Sequence, residues 1–503
     1  MNTSLYKHPM AKAILGALNA HGLSGDAYIS DDQLFQLVKL QDQSLRMEDF
    51  TPELSLLLRK GMIVREGTRL YSCAAYRYEQ YAAEELAEVL SAPPLSISQL
   101  ARSVLVCGSK LCPEQSKAAD MALSSRISMI LGGAGSGKTT LISTIAQRVS
   151  GEKLVVCAPT GKAAYNLREK TGLRARTIHS ALGLLPNEDF LADVPWEHVN
   201  WVIVDEASMM TLEMLGGFLS RLNPDAHLVL LGDPNQLPAV GVGNVLPDLM
   251  ELGFPSITLL ENHRQEEGDT ALMHNVVNFS QLATAADLAF DDSFQFQELT
   301  EKQAQQQLVT DAVERYRHHK SVQVLATTKR MVLDLNREIQ AQINPHADFK
   351  REVIWKGMTF RDGDKVLITR NNRYKDCFNG DVGTFRILEQ GEYTLTFCVA
   401  LPDGREPTWH DEKALSDLSL AYAMTAHKAQ GSEYDTVLFP ITGESQNMMY
   451  RNMLYTTISR ARSQVVLYGS RQALDSAMRT TAKKRKSMLV AKTHMLMATH
   501  RTA

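Results

Sequence analysis

The feature that constrains this chain most is the run Gly132-Gly-Ala-Gly-Ser-Gly-Lys138-Thr139, set between the apolar run Ile127-Ser-Met-Ile-Leu131 and the helical pattern Leu141-Ile-Ser-Thr-Ile-Ala-Gln-Arg148. Strand, glycine loop and helix in that order fit GxxxxGK[ST]. Its glycines let successive backbone N–H groups converge on a phosphate, and the helix that follows adds its positive end. Gly132, Gly135 and Gly137 are therefore expected to shape the loop. Lys138 would neutralise β- and γ-phosphate oxygens, Thr139 would ligate Mg²⁺, and Thr140 would complete the nucleotide contacts. Such a loop belongs on a parallel sheet. Further apolar runs at Lys153-Leu-Val-Val-Cys157, Trp201-Val-Ile-Val204 and His227-Leu-Val-Leu-Leu231, with helical segments between them, supply its other strands.

The run Trp201-Val-Ile-Val204 ends in Asp205-Glu206. Paired acids at the C-terminal edge of a buried strand sit beside the phosphate loop in such sheets, where one holds Mg²⁺ and its neighbour positions the attacking water. Asp205 is assigned to the metal and Glu206 to the water. By itself the pair reads equally well as helix-capping acids, and the phosphate loop upstream favours the chemical roles. The next apolar run ends in Gly232-Asp-Pro-Asn-Gln236. A tight turn explains its first four residues, and Gln236 adds an amide placed to sense the γ-phosphate.

With 503 residues, three or four domains are expected at about 150 residues each, and 44% apolar residues exclude a disordered chain. The 53 Lys and Arg against 57 Asp and Glu leave a formal charge of −4, so any polyanion must meet local basic patches rather than a chain-wide field. No apolar run reaches the roughly 18 residues of a membrane span, and the first residues show no basic leader or small-residue cleavage site. A cytoplasmic chain with no membrane partner is expected. The six cysteines are too scattered for a disulfide framework, and Cys107 and Cys112 lack a second pair to complete a zinc site.

Residues 1–105 read as helices with a small hairpin, a winged-helix-like module. Residues 106–260 form the first α/β unit. A second set of strand-like runs over 261–346 and 417–475 is interrupted at 347–416 by short β-type runs and Gly turns, an all-β insert. Residues 476–503 read as a mobile basic tail, since the last 33 residues carry eight Lys or Arg against one Asp.

Eight segments in order carry a family resemblance: GGAGSGKTT, APTGKAA, RTIHSALG, VIVDEASMM, LGDPNQLPAVG, LLENHRQ, YAMTAHKAQGSEYD and LYTTISRAR. The series resembles the motif set of superfamily 1 helicases, closest in wording to the RecD/Dda branch (1B), over roughly residues 110–470. The resemblance implies two RecA-like P-loop domains, an SH3-like barrel for the insert, and ATP with Mg²⁺ as cofactors. It implies an adenine contact for Gln115, a ribose contact for Glu433, and arginine fingers at Arg264 and Arg460. A guanidinium supplied across a cleft stabilises charge on the transferred phosphoryl group, so hydrolysis depends on closure.

The same resemblance implies a DNA track at Pro159, Thr160, Lys162 and His179 in the first domain and Thr425, His427 and Lys428 in the second. Arg373, Tyr374 and Lys375 are candidates on the barrel, and a short strand-separating pin is expected at about 182–199, with Phe190 or Trp196 facing either a base pair or the core. The activity so implied is ATP-dependent 5′-to-3′ movement on single-stranded DNA with duplex unwinding at junctions, in repair, recombination or replication, with a protein loading partner left open. Two other readings stand beside it: a translocase that displaces proteins or works on RNA, and a nucleotide-gated clamp that binds without stepping. Glu206, Arg264 and Arg460 serve hydrolysis rather than binding and weigh against the clamp. No His cluster or grouped carboxylates suggest a second nuclease or primase centre.

Overall fold

In the computed structural model, the apolar runs around the phosphate loop pair into a parallel sheet buried on both faces. The structure describes residues 8–92, 111–149, 154–183, 196–261, 270–318, 321–391, 394–443 and 448–500. The chain begins with helices Pro9–Leu23, Asp31–Lys39 and Met47–Arg59 and strands β1 (Tyr28–Ile29), β2 (Ile63–Glu66) and β3 (Arg69–Ser72), which form a three-stranded sheet in the order β1-β3-β2. Ile14, Leu34, Phe50 and Leu70 close a small core of their own beneath it.

The first α/β domain contains β4 (Ile127–Gly132), β5 (Leu154–Ala158), β6 (Ala175–Thr177), β7 (Trp201–Val204), β8 (His227–Gly232) and β9 (Ser256–Leu259), ordered β6-β5-β7-β8-β4-β9. The β4–β8 pair is parallel, with Ile130 opposite Leu231. Helices cover both faces, which is why these strands read as continuous apolar runs rather than alternating ones. On one face Ile130, Leu141, Ile142, Ile145 and Val156 share a core, and each fully buried aliphatic side chain contributes about 1.5–3 kcal/mol.

The opposite face departs from the sequence expectation. Ala82, Ala83 and Leu86 of helix Cys73–Ser91 are built into its core together with Leu489 from the C-terminal helix Leu489–His500. The N-terminal region is thus fused to the first sheet rather than appended to it.

The basic C-terminal segment is likewise not a loose tail. Arg485 donates to the carbonyls of Ala239, Gly241 and Gly243, and Lys486 N–H donates to Asp26. Buried Lys492 lies 3.2 Å from Glu79 and 3.3 Å from Glu66, with its ammonium also over the rings of Tyr71 and Tyr76. Charge counting misleads here because these cations have partners far off in sequence. Stripping Lys492 from the fully buried Glu79 would cost about 3–5 kcal/mol, enough to pin the segment in place.

The second α/β domain opens with β10 (Phe294–Glu298) and β11 (Val322–Ala326). An insert follows: a hairpin of β12 (Glu352–Trp355) and β13 (Met358–Arg361), then β14 (Lys365–Ile368), β15 (Val382–Gln390), β16 (Leu395–Ala400), β17 (Thr408–Trp409) and β18 (Leu418–Leu420). The last five form an antiparallel sheet in the order β17-β16-β15-β14-β18 around Phe385, Phe397 and Trp409. Strands β19 (Ala423–Thr425), β20 (Tyr434–Ile441) and β21 (Ala461–Gly469) then complete a parallel sheet in the order β10-β21-β20-β11-β19. Buried Asp364 fastens the insert to this domain by accepting from Gln340, Asn344 and Tyr422. No helix among the described residues is long and apolar enough to cross a membrane.

Candidate active site

Strand β4 delivers the chain to the phosphate loop at Gly132, and helix Lys138–Arg148 carries it away. Gly135 and Gly137 have φ of 84° and 79°, left-handed values that strain any residue with a Cβ. The Lys138 ammonium folds over the loop, donating to the carbonyls of Gly132 at 2.5 Å and Gly133 at 2.8 Å. Thr139 and Thr140 open the helix, and Thr139 faces the same cleft as Lys138.

Asp205 and Glu206 emerge from β7 beside that loop. Asp205 accepts from the Glu206 N–H at 2.9 Å, and Glu206 itself is left-handed at φ 52°. That turn brings both carboxylates into the cleft wall. Burial, and then the neighbouring Glu206 charge, push the Asp205 carboxyl up to about 6, while Lys138 pulls the other way. A buried carboxylate destabilised in this manner gains most from a cation. One carboxylate with the Thr139 hydroxyl also suits Mg²⁺, which keeps waters and phosphate oxygens as its remaining ligands. Gln236 is 4% exposed, and its Oε1 has no hydrogen-bond partner although it is buried at the cleft. An acceptor so placed suits a water or hydroxyl donor in the nucleotide site.

The second domain forms the other wall. Arg460, 4% exposed, lines the cleft and is held by the Thr456 and Ser432 carbonyls and the Ser459 hydroxyl at 3.2–3.4 Å. Glu433 also lines it, paired with Arg462 at 3.2 Å and with Lys170 of the first domain at 3.9 Å. The cleft has a volume of about 680 Å³, within the ordinary range for a ligand of nucleotide size. Gln115 stands apart: buried near the start of helix Pro113–Ser124, it accepts from the Cys112 N–H at 3.1 Å as a helix cap and is not among the cleft-lining residues. Arg264 lies outside the described residues, as does Phe190 with most of the pin segment. Trp196 belongs to the core, edge-to-face on Phe218.

The expected track residues divide. Thr160 caps helix Gly161–Thr171, Pro159 is buried before it, and half-buried His179 follows β6. Thr425 ends β19, half-buried His427 follows with its pKa lowered by burial and then by Arg485, and Lys428 is exposed. All six stand at or just beyond the C-terminal ends of sheet strands. Lys162 is turned elsewhere: its ammonium lies 3.8 Å from the buried Asp381 carboxylate of the barrel and over the Tyr165 ring. Tyr374 is 95% exposed. Lys375 instead braces the barrel, donating to the Thr408 carbonyl and resting over Trp409, while Arg373 contributes a backbone turn.

Sequence reasoning missed how the barrel docks. Arg405 pairs with Asp381 at 3.3 Å and with Asp403 at 2.6 Å, and its guanidinium covers Tyr165 at 4.8 Å. Phe378 packs so closely on Gly161 that a Cβ there would approach its own Cβ to 2.9 Å. The Phe-Asn-Gly-Asp turn was the available signal, but nothing local says what it touches.

Family models match three segments in order: an AAA domain over 110–294, the ATP-dependent RecD-like DNA helicase SH3 domain over 335–397, and a UvrD-like helicase C-terminal domain over 420–468. The ATP-dependent RecD2 DNA helicase of Deinococcus radiodurans is 31% identical across 85% of this chain, which spans 58% of that relative's length. The RecBCD enzyme subunit RecD of Mycolicibacterium smegmatis is 28% identical across 83% of this chain and 81% of its own. Among solved structures, Pif1 helicase from Bacteroides in complex with ADP-AlF3 and ssDNA matches 78% of this chain and 97% of its own, at 18% identity and a TM-score of 0.48. With the phosphate loop, the acid pair, Gln236 and Arg460 on one cleft, and the SH3 domain inserted in the second sheet, the chain belongs to the RecD-like branch of the superfamily 1 DNA helicases.

Proposed function

We propose that this chain is an ATP hydrolase that moves 5′ to 3′ along single-stranded DNA and separates duplex at single-strand/double-strand junctions. The observation that carries the reading is the shared cleft: Lys138, Asp205, Glu206 and Gln236 come from one sheet and Arg460 from the other, so hydrolysis requires the two domains to meet. Thr139 and Asp205 would hold Mg²⁺, which would supply positive charge to the phosphate oxygens. Lys138 exchanges its loop carbonyls for β- and γ-phosphate oxygens, Glu206 orients the attacking water and receives its proton, and Gln236 holds that water or the γ-phosphate. Arg460 stabilises the charge that develops on the transferred group, with Arg264 as a second guanidinium. Glu433 would reach the ribose at the cost of its pairing with Arg462, and Gln115 would turn its amide to adenine.

Thr160 and His179 on one domain and Thr425, His427 and Lys428 on the other would hold strand phosphates through N–H groups, hydroxyls and charge. Closure on ATP moves the two sets together and release moves them apart, which converts hydrolysis into stepping. We place the protein in the cytoplasm, beside the DNA of repair, recombination or replication.

The test compares forks bearing a 5′ or a 3′ single-stranded tail, with wild-type chain and Lys138→Ala. Only the 5′-tailed fork should open, and the variant should open neither. Opening of the 3′-tailed fork alone would reverse the direction while leaving the motor intact, and opening of neither by active ATPase would favour a translocase that displaces proteins.

A further inference from the structure

The loop after β8 carries Gln236, yet side chains of the other domain hold much of its backbone. Asn452 donates to the carbonyls of Asn235 at 3.0 Å and Gln236 at 3.3 Å. The Leu237 N–H donates to the Thr456 hydroxyl at 2.7 Å, and Gln430 donates to the Leu237 carbonyl at 3.0 Å. Tyr455 donates to the Asp233 carboxylate at 2.6 Å. Positions 452, 455 and 456 fall on one face of helix Arg451–Ile458, so a single helix grips the sensing loop from Asp233 to Leu237.

The Tyr455 phenol touches the phosphate loop as well. A Cβ on Gly133 would lie 2.9 Å from its oxygen, which accounts for the second glycine of the loop, and the Ala134 backbone hydrogen-bonds it. Tyr455 is 2% and Asp233 1% exposed. Packing alone does not call for a hydroxyl here: a phenylalanine would fill the same space against Phe279, whose ring centroid is 5.1 Å away, without burying an O–H and a carboxylate that must satisfy each other. Arg460 follows one turn after Thr456, and its Nε donates to the Thr456 carbonyl at 3.2 Å.

We infer that Tyr455 is a positioning residue: through Asp233 and the phosphate loop it fixes helix Arg451–Ile458, just beyond which Arg460 stands, so the guanidinium and the Gln236 amide close on the nucleotide as one unit. The inference rests on the hydrolytic roles proposed for Arg460 and Gln236. It assigns no contact with substrate to Tyr455 itself.

The experiment uses the full chain carrying Tyr455→Phe, with steady-state hydrolysis in the presence of an oligothymidylate and equilibrium binding of ADP alone and of ADP with aluminium fluoride. The hydrogen bond runs to a charged group, so kcat should fall about tenfold or more, with the KM for ATP and the affinity for ADP changed by no more than about twofold. Affinity for ADP with aluminium fluoride should fall in step with kcat. Thr456→Val, which removes the acceptor of the Leu237 N–H, should show the same split, and Thr456→Ser should restore it. These two variants keep the test open if Tyr455→Phe folds poorly. Wild-type kcat in Tyr455→Phe, or equal losses for ADP and its fluoride complex, would overturn the inference. Wild-type hydrolysis insensitive to Arg460→Ala would instead remove the function on which it rests.

Discussion

Arg460→Ala is expected to lower hydrolysis at saturating ATP and single-stranded DNA by about a thousandfold, the lower end of what a trans-acting arginine contributes to phosphoryl transfer. Nucleotide binding should be little affected, because Lys138 and the phosphate loop belong wholly to the first domain. Arg460→Lys should rescue little: an ammonium is a point charge and cannot make the forked contacts of a guanidinium. Arg460 is held by the Thr456 and Ser432 carbonyls and the Ser459 hydroxyl, so its removal leaves acceptors that water entering the cleft can satisfy, and the variant should fold. Steady-state hydrolysis beside a thermal melt separates loss of chemistry from loss of fold. A kcat within about tenfold of wild type would mean that the charge on the transferred group is met by another side chain.

Glu206→Gln should have the second large effect, of opposite character on binding. The substitution preserves shape and removes the base, and a positioned acid or base contributes about 100- to 10,000-fold. Glu206 also helps push the neighbouring Asp205 carboxyl up to about 6. Without that like charge, the Asp205 carboxyl falls towards its ordinary value and stays ionised to lower pH, so Mg²⁺–ATP should bind at least as tightly as in wild type. The expected outcome is a protein that retains ATP without turning it over, measured by filter retention of labelled nucleotide beside single-turnover hydrolysis. Weakened retention would show that Glu206, rather than Asp205, holds the metal.

The parts of this site that were legible in the sequence are those whose geometry is local. Gly135 and Gly137 occupy left-handed positions inside one strand–loop–helix unit, so the motif carries its own explanation. Asp205 and Glu206 follow a buried strand directly, and position in a parallel sheet does the rest. What the sequence concealed depends on which surface a side chain meets after distant segments dock. Lys162 and Lys375 are both DNA-contact candidates by the resemblance, yet one ammonium faces Asp381 and the other Trp409. The run at 483–486 reads as a solvated charge cluster, yet Arg485 satisfies three carbonyls 242–246 residues away. Helix Cys73–Ser91 has the pattern of a separate N-terminal element, but its alanines let it pack tightly on the first sheet. Gln115, to which the resemblance gives an adenine contact, caps its own helix through its side-chain oxygen and does not line the cleft.

The central claim is that ATP is cleaved at a junction of two domains whose closure is governed by the strand they hold. It is tested most directly by the steady-state rate of ATP hydrolysis by the wild-type chain as single-stranded DNA is titrated in. The rate should climb from a low basal value and saturate with the DNA. A rate that stays the same from no DNA to excess DNA would contradict the account.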